Sequence, residues 1–117
     1  VNNQLKERPM ATTKHNSTDP VAAARVTADT HGLNTSHLIT AHNGAAHVFV
    51  ADVNDLRPWL NELGGHITRQ PAGTDTEKWT FRTHTDFRSD GSSTPILMHA
   101  LALTGQTVHP DLLAAVV

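Results

Sequence analysis

Hydrophobic positions change their period along the chain, and each change marks an element. Two strand-like runs, Ser36-His37-Leu38-Ile39-Thr40-Ala41-His42 and Ala45-Ala46-His47-Val48-Phe49-Val50-Ala51-Asp52, flank Asn43-Gly44. Asn-Gly between such runs is a strong hairpin signal, because both central residues of a type I′ turn need positive φ. The turn fixes a register in which His42 faces Ala45, Thr40 faces His47 and Leu38 faces Phe49. Side chains alternate across a strand. One face therefore carries Ile39, Ala41, Ala46, Val48 and Val50, and the other Leu38, Thr40, His42, Ala45, His47 and Phe49. The first face is apolar through its middle and is expected to meet the core.

The period then lengthens. Leu56, Trp59, Leu60 and Leu63 recur at i, i+3, i+4 and i+7, which predicts a helix over 54–63 with one apolar stripe. Asp52, Asn54 and Asp55 offer N-caps, Pro58 fits the first turn, and Gly64-Gly65 supplies the stop. Residues 66–70 read as a short strand. Residues 77–84 alternate strongly, with Trp79, Phe81 and Thr83 on one face and Lys78, Thr80, Arg82 and His84 on the other. A loop containing Asp90-Gly91-Ser92-Ser93 follows. The apolar run 96–103 fits helix or strand by propensity. Its length and its flanks, Thr94-Pro95 and Thr104-Gly105, favour a strand, and its apolar character on both faces places it centrally. Short helices are expected at 21–30, capped by Asp19 with Pro20 at the first position, and at 110–116. The alanine-rich face of the first predicts weak docking.

The elements define an α+β domain: a two-layer, five-stranded mixed sheet in the order β-β-α-β-β-β, with one main covering helix and short terminal helices. Its core is expected within 35–103, and the domain within 19–117. The crossover rule favours the lateral order 37–42, 45–52, 96–103, 77–84, 66–70. Helix 54–63 covers one face and the other stays open. Residues 1–18, poor in apolar side chains, are expected to form a disordered arm. Either Val1, as a GTG start codon read literally, or Met10 serves as the start.

Composition narrows the chemistry. The chain has 117 residues and a net charge of −2, so no basic patch marks a nucleic-acid surface, and nucleic acid is not an expected partner. Cysteine is absent, which removes disulfides, thiolate metal sites and thiol nucleophiles. No apolar run has the length of a membrane span, and a cytoplasmic location is the default expectation. Nine histidines make the charge sensitive to mild acid.

Three of these histidines form the candidate site. His42 and His47 are diagonal neighbours on the non-core face of the hairpin, close enough to share a divalent metal if a third ligand joins them. His99, or failing it His84, supplies that ligand; solvent-facing or core-satisfied imidazoles are the plainer reading. His99 interrupts the central apolar strand, so it must find a partner or lose its charge. Asp52 and Asp55 are explained by capping. Ser89, Asp90, Ser92 and Ser93 lack the context of a nucleophile elbow.

From His47 to Leu103 the element order, with His47-Val48-Phe49-Val50-Ala51-Asp52, Asp55-Leu56 entering a helix and Leu63-Gly64-Gly65 ending it, resembles one βαβββ module of the vicinal oxygen chelate superfamily. That resemblance implies a metal-dependent enzyme or small-ligand binder using sheet-face histidines. The chain departs from it in its short helix, its single module and His99 where the last strand would carry a glutamate ligand. It also looks like small uncharacterised actinobacterial proteins sharing a hairpin followed by Asp-Leu-x-x-Trp and Leu-Gly.

The leading expectation is a small non-enzymatic interaction or accessory module without a cofactor. It self-associates as a homodimer through the open sheet face, with Leu38, His42, His47, Phe49 and His99 as the partner face. The alternative is a divalent-metal site at His47, His99 and His42.

Overall fold

A computed structural model describes residues 19–117; the arm expected at 1–18 lies outside the described residues. The elements follow in the order α1 (Pro20–Thr30), β1 (Leu38–His42), β2 (Ala45–Phe49), a 3-10 turn (Val53–Asp55), α2 (Leu56–Leu63), β3 (His66–Pro71), β4 (Thr76–His84), β5 (Pro95–Leu103) and α3 (Pro110–Ala114). The five strands make one sheet in the order β1-β2-β5-β4-β3, the lateral order expected from the sequence. The β2–β5 pair is parallel and the other three are antiparallel. Among the described residues, no helix is long and apolar enough to cross a membrane.

Asn43 and Gly44 take φ of 52° and 76°, the positive values that a type I′ turn requires. The hairpin then pairs Leu38 with Phe49, Thr40 with His47 and His42 with Ala45, as the turn dictates. On the core face Ile39, Ala46, Val48, Ile67, Trp79, Phe81, Ile96, Met98, Ala100 and Ala102 are buried. Leu56 and Trp59 of α2 pack against them, with Leu60 and Leu63 partly buried beside them. The helix starts on a capping box: Asp52 accepts from the Asn54 N–H at 2.8 Å, and Asp55 accepts from the Asp52 N–H at 3.3 Å.

The structure differs from expectation in several places. The second strand ends at Phe49 rather than residue 52, because Asp52 is already engaged as the helix cap. Ala24 and Ala28 on the alanine face of α1 are buried against the β1–β2 side of the core, since side chains of one carbon let the helix approach closely. The last helix stops at Ala114. The chain beyond it bridges Val116 to Ile67, covering part of an edge strand whose backbone groups would otherwise be unpaired. Gly65 joins α2 to β3 at φ 136°, and a Cβ there would lie 2.2 Å from the Arg82 carbonyl oxygen.

Candidate functional site

Both helices with substantial apolar faces lie on one side of the sheet. Among the described residues no helix packs on the other side, and the register arranges its side chains in rows. One row runs Leu38, Phe49, His99, Thr80, Thr68 from β1 to β3. The next runs Thr40, His47, Leu97, Arg82, His66. Lys78 pairs laterally with Leu101 beyond the first row. Leu38 is 65% exposed, Phe49 45%, Leu101 62% and Leu103 65%. Exposed apolar side chains thus gather on the β1, β2 and β5 part of the open face.

All five residues of the expected partner face lie on this surface. His42, His47 and His99 form a chain of rings, with centroids 5.9 Å apart for the first pair and 5.1 Å for the second. His47 Nδ1 and His99 Nε2 are 2.9 Å apart, and the two ring planes differ by only 2°. The centroid separation exceeds the nitrogen separation by about two ring radii. The rings therefore lie edge to edge in one plane, as an in-plane N–H···N hydrogen bond requires, rather than face to face. Phe49 lies 5.1 Å from His99 across an interplanar angle of 25°.

The parallel pairing of β2 with β5 creates this contact. His47 is level with Leu97, and Phe49 is level with His99, so the two imidazoles are diagonal neighbours on adjacent strands. Burial, then the nearby Lys78, His47 and Arg82 charges, hold the His99 imidazole below its ordinary value of 6.5. Its Nδ1 is buried and has no hydrogen-bond partner among the described residues. A neutral His99 can either accept from or donate to His47, and the tautomer of one ring sets that of the other.

The arrangement does not present a three-ligand metal centre. Among the described residues no group of three or more His, Asp or Glu side chains is placed to hold an ion. Zinc sits about 2.0–2.1 Å from each imidazole nitrogen, whereas the facing nitrogens of His47 and His99 are engaged with each other. His84 is occupied elsewhere: its Nδ1 donates to the Thr85 carbonyl at 2.7 Å, and its ring meets Phe87.

One functional feature was not singled out from the sequence. Lys78, His99, Phe49, Val50, Ala51, Ala100 and Leu101 line a cleft of about 390 Å³ on the open face. Strand alternation already put Lys78 on this face. Its neighbourhood depended on pairing with Leu101, which only the assembled sheet reveals.

Compared with known protein families, curated protein sequences and solved structures, the chain matches none.

Proposed function

We propose that the chain is a small interaction module whose uncovered sheet face pairs with a second copy of itself. The observation that carries this reading is the exposure of Leu38, Phe49, Leu101 and Leu103 on a face that no helix among the described residues covers. A contiguous apolar surface of this kind loses contact with water when two copies meet, and burial is favourable in proportion to the apolar area removed.

The size of the face suits the role. Strands about 4.8 Å apart and roughly 17–30 Å long span roughly 400–700 Å² before side-chain relief is counted. A standard interface takes about 800 Å² from each partner. The charges also permit it. A two-fold axis along β5 sets β4 of one copy over β2 of the other, which keeps Lys78 and Arg82 of the two copies apart. The same patch then serves both subunits, as an isologous interface requires. The metal-dependent reading has no comparable observation behind it, because His47 and His99 face each other rather than a common point.

Sedimentation velocity over a micromolar concentration series tests the proposal. The wild-type chain is expected to reach a dimer, and Leu101→Lys to shift it toward monomer. A wild-type chain that stays monomeric throughout the series overturns the proposal.

A further inference from the structure

The ten carboxylates among residues 19–117 are Asp19, Asp29, Asp52, Asp55, Glu62, Asp75, Glu77, Asp86, Asp90 and Asp111. None of them belongs to the open-face rows set by the strand register. Those rows carry Lys78, Arg82 and the imidazoles of His42, His47, His66, His84 and His99 instead. Among the described residues neither Lys78 nor Arg82 has a carboxylate partner. The strand rows of this face therefore carry cations and imidazoles and no described acid.

Within that surface the cleft beside β5 is the concave element. Its walls are Phe49, Val50, Ala51, Ala100 and Leu101, and its polar side chains are Lys78 and His99. Its volume lies at the lower end of the range of about 300–1,000 Å³ typical of small-molecule sites. Burial and neighbouring positive charge keep His99 neutral at neutral pH, so the Lys78 ammonium is the one formal charge on the lining. His99 Nδ1 is buried in the same wall without a partner among the described residues.

We infer that this cleft binds a small apolar monocarboxylate, with its hydrocarbon part against Phe49 and Leu101 and its carboxylate on the Lys78 ammonium. One cation calls for one anion, and the apolar walls call for a short aliphatic or aromatic tail. A phosphate or dianion would lack the second cation on the lining and the further polar contacts that its oxygens need. The inference shares its surface with the proposed dimer contact but does not rest on that reading. Ligand and second copy would exclude each other there.

The test uses hexanoate and phenylacetate, with hexanamide and phenylacetamide as uncharged counterparts. Binding is read by saturation-transfer NMR at a protein concentration at which the chain sediments as a monomer. Both carboxylates are expected to bind, with the amides weaker by about tenfold, the loss of one charge-assisted contact. Lys78→Met is expected to weaken the carboxylates by a similar factor, and Lys78→Arg to retain them. Backbone amide spectra check that each variant is folded. No binding by either carboxylate overturns the inference, as do amides that bind equally well or a Lys78→Met chain with unchanged affinity. Failure of the chain to dimerise would count against the proposed function and leave these readings intact.

Discussion

His47 Nδ1 and His99 Nε2 meet at 2.9 Å in a common ring plane, on the sheet face opposite the described helices. The bond joins the two parallel strands, β2 and β5, on which the sheet turns from hairpin to meander. It ties the protonation of one ring to that of the other, and burial with nearby positive charge sets the direction for His99.

His99 is expected to titrate below the ordinary 6.5 in NMR of its ring signals. Lys78→Met should move it upward without restoring 6.5, because burial is the larger cause. The native state then binds fewer protons than the unfolded chain in this window. The stabilisation from His99 is complete above the unfolded value and is lost as pH falls through the folded one. A wild-type His99 titrating at or above 6.5 contradicts the assignment.

His31 has the opposite sign. It lies between α1 and β1, with Nε2 2.9 Å from Asp86 and Nδ1 3.2 Å from Glu62. Hydrogen bonds to Asp86, then Glu62, raise its value. Its stabilisation is present below 6.5 and is lost as pH rises through the raised value. His31→Gln should therefore lower the urea midpoint at pH below 6.5 and change it little well above the raised value. An equal loss at both ends of the range would show that the ion pairs are not responsible.

Gly65→Ala places a Cβ 2.2 Å from the Arg82 carbonyl oxygen and 2.8 Å from Phe81 Cε1. Gly73 has a similar φ of 140° but nothing within 4 Å. Alanine should cost about 1–3 kcal/mol of backbone strain at either position, with a further overpacking cost of about 1–3 kcal/mol at Gly65 alone. Urea denaturation of the two variants gives the difference directly, and equal losses would contradict the close approach.

Much of the fold was legible because its signals are local. Asn43-Gly44 set the hairpin register, the Leu56, Trp59, Leu60 and Leu63 stripe set the helix and the face it covers, and the alternation from Glu77 to His84 separated Trp79 and Phe81 from Lys78 and Arg82. The candidate face was legible for the same reason, since period 2 assigns every side chain to a side. The His47–His99 bond was not. It depends on the parallel register of Phe49 with His99, and a crossover connection carries no turn residue that fixes a register. The end of the chain was missed for a related reason. Whether Ala115 and Val116 extend a helix or bridge to Ile67 is decided by an edge strand far away in sequence. The cleft at Lys78 likewise arises from lateral pairing.

The proposed pairing joins two copies through the open sheet face. It is tested most directly by isotope-filtered NOE spectroscopy on a mixture of labelled and unlabelled chains. Intermolecular NOEs are expected from the Leu101 methyls and the Phe49 ring to open-face residues of the other copy. Intermolecular NOEs confined to the helix side, or none at concentrations where the chain sediments as a dimer, would contradict it.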